Sequence, residues 1–154
     1  MTQATFDSSS SATQRLAHAL KGAASPAAQR VFTQLYADAA SVTAQRCDAE
    51  TQAGRSLGAL HGVCITLKDN LDVAGETTMV GGVVCAGEEP ALQDATVVQR
   101  LREAGAVVLG KTNMSEFAFS GVGINPHHGT PANPADSAHA RVPGGSSSGA
   151  AVSV

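Results

Sequence analysis

The sequence has 154 residues, enough for one domain with a core of its own. Hydrophobic residues make up 43% and charged residues 15%, a globular composition, and with aromatics at 3% the core has to be built from Ala, Val, Leu and Ile. A net charge of −3 with scattered basic residues leaves no footprint for nucleic acid or an anionic membrane, and no stretch approaches the roughly 18 apolar residues of a membrane span.

Residues 1–12, with the run Ser8-Ser9-Ser10-Ser11, read as a polar disordered tail, and residues 13–154 as part of a single domain. No basic region followed by an apolar run marks a secretory signal. Cys47, Cys64 and Cys85 form no CxxC pair and have no histidine at metal-ligand spacing. No metal or other cofactor is therefore expected, and the odd count suggests reduced thiols in a cytoplasmic setting.

A short helix is expected over Thr13–Lys21, closed by Gly22. Ser25-Pro26 then reads as a helix start, with Val31, Phe32, Leu35, Ala39 and Val42 at helical spacing to about Ala49. His61–Lys68 reads as a strand, with Val63, Ile65 and Leu67 on one face and Cys64, Thr66 and Lys68 on the other. Asp94 is the expected cap of a helix through Val97, Val98 and Leu101, with Gly105 as the residue that ends it. Ala106–Leu109 reads as a strand buried on both faces, Ser115–Ser120 as the start of a helix, and Gly121–Val142 as loop. From Pro143 a Gly- and Ser-rich turn feeds a small-residue helix. The alternation of helix and strand points to an α/β layered fold.

Gly105 to Thr112 fits the phosphate-loop pattern GxxxxGK(S/T), but its four intervening residues are an apolar strand rather than flexible backbone. The nucleotide reading is rejected on that ground. His127 and His128, adjacent in a loop, are read as solvated. Asp94, Arg100, Arg102 and Glu103 are read as a cap and a solvated helix face. Lys68 is the first candidate for chemistry. A lysine at the end of a buried strand is partly desolvated, its pKa falls, and a neutral amine is a competent general base. The second candidate is the Gly-Ser turn, which offers amides and hydroxyls at a helix start for an oxyanion or a proton relay.

Three segments, Leu60–Asn70, Gly110–Ala118 and Val142–Ala151, resemble the amidase signature family and occur in that family's order. The resemblance runs from about residue 25 to the end. It implies a mixed sheet flanked by helices, of which this chain would be the N-terminal third, and a Ser–cis-Ser–Lys triad. Carried over, Lys68 is the triad lysine and Ser146 the cis-serine, while the nucleophilic serine belongs to a TDxGGS-like segment expected beyond Val154. The implied activity is hydrolysis of carboxamide C–N bonds on a small-molecule amide substrate, with no direct nucleic-acid or membrane partner and homo-oligomerisation left open. The chain alone is expected to be inactive. Two other readings stand beside this one. One is the A subunit of the glutamyl-tRNA(Gln)/aspartyl-tRNA(Asn) amidotransferase, which Gly123–Pro134 resembles less than it does stand-alone bacterial amidases. The other is a non-catalytic truncated chain. Cys64 stands where the family usually has proline, and Gly82 where serine is common. The resemblance also implies a cis Gly145–Ser146 bond in a complete enzyme. In the isolated chain a trans bond or a disordered loop is expected.

Overall fold

The computed structural model describes residues 10–136 and 138–154. Of the tail expected over 1–12, residues 1–9 lie outside the described residues, while Ser11 and Ala12 belong to the first helix. That helix, α1, spans Ala12–Ala23 and runs on through Gly22. The Ser11 hydroxyl accepts from Gln14 N at 3.1 Å while the Gln14 side chain accepts from Ser11 N at 2.9 Å, a reciprocal capping box. Asp48 closes the remaining donors, accepting from Ala12 N at 2.6 Å, Thr13 N at 3.1 Å and the Thr13 hydroxyl at 2.6 Å.

The helix expected from Pro26 to Ala49 is three elements. A short 3₁₀ turn, Pro26–Ala28, leads to a strand, β1, at Phe32–Leu35, and helix α2 occupies only Ala37–Gln52. The physical reason lies in the next strands. β2 is Cys64–Lys68 and β3 is Val107–Thr112, and every residue of β3 is buried. A strand with no water on either face needs a backbone partner on both edges. β2 pairs with it in parallel and β1 covers the other edge antiparallel, giving the order β1-β3-β2. Arg30, at φ 66°, turns the chain into that edge. Gly110 is glycine because a side chain there would run into the backbone carbonyl of Gln34 on β1. The Gly105–Thr112 match to a phosphate loop is thereby accounted for as central strand.

The sheet carries a core on each face. Ala12 and Leu16 of α1 and Ala40, Ala44 and Cys47 of α2 pack on Val107 and Leu109. The α2 residues recur at four and three positions, so one helix stripe of small side chains lies close on the sheet. On the opposite face Leu67 and Val108 meet Val73 and Val98. Val98 belongs to helix α3, Thr96–Glu103, which makes the crossover between the two parallel strands. This is the mixed sheet flanked by helices.

Two local expectations are corrected. Asp94 does not cap α3, whose N-cap is Ala95. Its carboxylate instead takes Ala74 N at 2.9 Å and Arg102 at 2.8 Å, tying the preceding loop to the helix. Ser115–Ser120 holds only a 3₁₀ turn, Glu116–Ala118, because Ser115 N is engaged by Ser146 O and the Ser115 hydroxyl by Ser120 O. Gly105 does end α3, at φ 87°. Among the described residues no helix is long and apolar enough to cross a membrane.

Burial works against the Asp48 carboxylate, but its hydrogen bonds from Thr13 and Ala12 outweigh it and hold its pKa below the ordinary value. The resulting stability is present above the unfolded carboxylate pKa, about 4, and is lost as pH falls through the folded one. Asp48→Asn is expected to lose about 1–2 kcal/mol at neutral pH and to show a flatter loss of stability in acid. Denaturant titrations from pH 7 to pH 3 check this, and superimposable profiles would contradict it.

Candidate active site

Lys68 ends β2 opposite Thr112 of β3, on the same strand face as Cys64 and Thr66. Its side-chain nitrogen donates to the Ser146 hydroxyl at 2.5 Å across 78 positions of sequence. Burial pushes the Lys68 amine below the ordinary lysine pKa. Thr66, two residues earlier on the same face, reaches Ser153 at 3.5 Å. Ser153 ends helix α4, Ser148–Ser153, so this face of β2 looks onto the helix that the serine turn starts.

The turn that presents Ser146 is held from both sides. Gly145 N donates to Gly121 O at 2.8 Å, Ser115 N to Ser146 O at 2.9 Å, and Gly149 N to Asn113 O at 2.8 Å. The Gly145–Ser146 bond is cis, not the trans bond or disordered loop expected for the isolated chain. The hydrogen bonds that hold the turn in this conformation are all made by residues of the chain itself. The approach of the backbones leaves no room for side chains. A Cβ on Gly145 would lie 2.6 Å from Gly123 N, and one on Gly149 would meet Val31 O.

Behind the turn stand residues that the sequence reading passed over. Asn125 is 2% exposed, and its side-chain nitrogen lies 2.7 Å from Gly81 O, 2.7 Å from Met114 O and 3.0 Å from Asn113 Oδ1. Its Oδ1 accepts from His127 N at 2.8 Å and His128 N at 2.9 Å. Asn113 in turn donates to Arg30 O at 2.9 Å and Gly129 O at 2.8 Å. The two asparagines thus splice several loops whose backbone groups have no helix or strand partner. The available signal was Asn125 itself, a residue with two donors and two acceptors set in a Gly-, Pro- and His-rich loop.

The histidine pair is only half solvated. His127 Nε2 stands 3.0 Å from Glu116 Oε1, while the His128 Nε2 atom is buried. Among the described residues no cluster of His, Cys, Asp or Glu could hold a metal ion. The phosphate-loop lysine, Lys111, is 1% exposed and points into the protein. A cavity of about 570 Å³ is lined by Pro26, Arg30, Asn133 and Arg141 and contains neither Lys68 nor Ser146. A groove of about 380 Å³ runs past Phe32, Cys64, Thr66, Leu109 and Val152 on the Lys68 face. What the arrangement can do chemically is pass a proton between a hydroxyl and a partly desolvated amine.

Comparison with known proteins agrees with the fold. The family model described as Amidase matches residues 15–154. The A subunit of the glutamyl-tRNA(Gln) amidotransferase of Acidothermus cellulolyticus is 44% identical over 138 residues, 90% of this chain and 27% of that protein. The native peptide amidase of Stenotrophomonas maltophilia superposes with a TM-score of 0.81 at 38% identity, over 94% of this chain and 31% of that one. A protein from a vestigial complex that bears on the origins of an s-triazine catabolic enzyme superposes at 0.85 with 35% identity, over 94% of this chain and 33% of that one. The chain therefore spans between about a quarter and a third of these relatives.

The serine turn supplies its own test. A Cβ on Gly123, at φ 81°, would collide with Gly144 O, whereas one on Gly121 meets nothing within 4 Å. Gly123→Ala is expected to cost about 1–3 kcal/mol and to shift the amide resonances of Gly144–Ser146. Gly121→Ala should leave both nearly unchanged. Equal behaviour of the two variants in thermal melts and amide spectra would contradict the packing described.

Proposed function

The chain belongs to the amidase signature family, and on that premise we propose that it supplies the general base and the proton relay of an amide C–N hydrolase. Lys68 is the base and Ser146 the relay. The observation that carries this reading is the 2.5 Å contact between a partly desolvated amine and a hydroxyl presented by a tightly held turn.

The mechanism follows from the order of the groups. A serine nucleophile, expected in a TDxGGS-like segment outside these residues, gives its proton to the Ser146 oxygen. The Ser146 proton passes to the lone pair of neutral Lys68. The freed oxygen attacks the amide carbonyl, and the tetrahedral intermediate collapses as the departing amine takes the proton back through Ser146. Water then attacks the acyl-enzyme, using the same relay. Lowering the amine pKa matters because a protonated Lys68 has no lone pair to offer. The turn matters because a relay works only within hydrogen-bond distance of both neighbours.

In this reading the 154 residues hold two of three reacting groups, and activity belongs to a longer polypeptide or assembly that supplies the nucleophile. Identity to the amidotransferase protein favours a second version, in which the amide is hydrolysed within a complex serving glutamyl-tRNA(Gln). The structural similarity to a peptide amidase favours a stand-alone hydrolase of small amides. The proton relay is the same in both, and release of ammonia from glutamine against release of amine from an aryl amide separates them. A non-catalytic role would leave Lys68 and Ser146 free to vary without effect.

In the nucleophile-bearing enzyme, Lys68→Ala and Ser146→Ala are each expected to lower kcat by about 10²–10⁴-fold with little change in KM. Near-normal kcat in Lys68→Ala at neutral pH would remove lysine from the mechanism. The purified 154-residue chain should not turn over a simple aryl amide, and turnover abolished by Lys68→Ala would contradict the division of labour.

A further inference from the structure

Lys111 and Asp69 are each 1% exposed; Lys111 lies in β3, and Asp69 is the first residue after the end of β2, beside it. Lys111 Nζ stands 3.9 Å from Asp69 Oδ1 and has no hydrogen-bond partner among the described residues. A buried ion pair of this kind is a poor source of stability, since replacing both members by apolar groups is often neutral or better. The surrounding connections point to another use.

Asp69 follows Lys68 directly. Its N–H donates to Thr112 O at 3.2 Å, its carbonyl accepts from Val80 N at 3.0 Å, and its Oδ2 accepts from Gly81 N at 3.2 Å. The Thr112 hydroxyl donates to Leu67 O at 3.1 Å, on the other side of Lys68. Lys111 sits in register with Leu67, and Thr112 with Lys68. Strand alternation then puts Lys111 on the Leu67 face and Lys68 on the opposite one, towards Ser146. The groups next to Lys68 in sequence are thus fixed on one face of the sheet, and the Lys68 side chain has to leave by the other.

We propose that the buried Lys111–Asp69 pair is the positioning element that aims Lys68 at Ser146. The inference rests on the reading of Lys68 as the base and adds two residues that touch neither substrate nor the reacting atoms. The pair acts by fixing the rotation of the β2 end. With the pair intact, Asp69 is locked between Lys111 and the Gly81 amide, and Lys68 is directed to the serine turn. With one member removed, Asp69 loses its anchor, the strand end turns, and Lys68 swings towards water. His128 and Tyr36 are further titratable side chains in electrostatic reach of Asp69.

The chain contains three lysines, Lys21, Lys68 and Lys111, which makes the test direct. Lys21 is exposed and serves as the reference, and Lys111 is buried and reports folding. The purified chain is acetylated with trace acetic anhydride across pH 6–11, and each lysine is quantified by peptide mass spectrometry. In the parent chain Lys68 is expected to titrate below Lys21. Asp69→Asn, which keeps the volume and an acceptor for Gly81, should move the Lys68 midpoint towards that of Lys21 by about one pH unit, roughly a tenfold loss of free amine near neutrality. Lys111→Met should do the same. The double variant, which leaves no lone buried charge, should regain thermal stability without regaining the Lys68 midpoint, and it carries the comparison if a single variant unfolds. An unchanged Lys68 midpoint in a folded single variant, or a midpoint that recovers together with stability in the double, would overturn the proposal and leave a purely structural pair. A Lys68 that already titrates with Lys21 in the parent chain would instead overturn the reading of Lys68 as the base.

Discussion

The central strand Val107–Thr112 is buried from water at each of its six positions, and its polar groups have to be satisfied by the protein. That constraint orders much of the molecule. It recruits Phe32–Leu35 as a second edge partner and excludes a side chain at Gly110. It also obliges Lys111 to find a carboxylate in the interior, which is Asp69. β2, lying parallel to this strand, inherits a fixed register, and the register sets which face Lys68 takes. The position of the lysine is thus a consequence of how its neighbour is buried.

Placing Ser146 opposite Lys68 uses a different kind of contact. The residues that meet behind the serine turn come from several stretches of loop, and close backbone approach at Gly123, Gly145 and Gly149 brings them together. Two buried asparagines supply the hydrogen bonds that regular structure would otherwise provide. The lysine is held by a sheet and the serine by a loop lattice, and the two meet at 2.5 Å. A rigid strand end keeps an amine partly out of water, and a backbone turn held from both sides fixes where a hydroxyl points.

Much of this was legible in the sequence, for reasons that can be named. The β2 strand showed its alternation, Gly105 its role at a helix end, and the resemblance of three short segments gave the fold type. Lys68 stood out because a charge at the end of an apolar strand has to be paired or desolvated. The segment Phe32–Leu35 was misread because Val31, Phe32 and Leu35 fit helical spacing, and only the demand of β3 for an edge partner makes it a strand. Asp94 has the chemistry of a cap but is claimed by Ala74 and Arg102. Asn113 and Asn125 were invisible because their partners are backbone carbonyls far away in sequence, and no local pattern encodes those.

The account as a whole depends on Lys68 and Ser146 acting as one proton-handling unit. The most direct test is a double-mutant cycle on kcat/KM in the nucleophile-bearing enzyme, with Lys68→Ala, Ser146→Ala and the two combined. Residues that form a single relay lose their function together, so the double variant should be no slower than the worse single variant, within about a factor of ten. Losses that multiply, with the double variant slower by the product of the two single effects, would mean that the lysine and the serine contribute independently and that the contact between them is not the working part of the site.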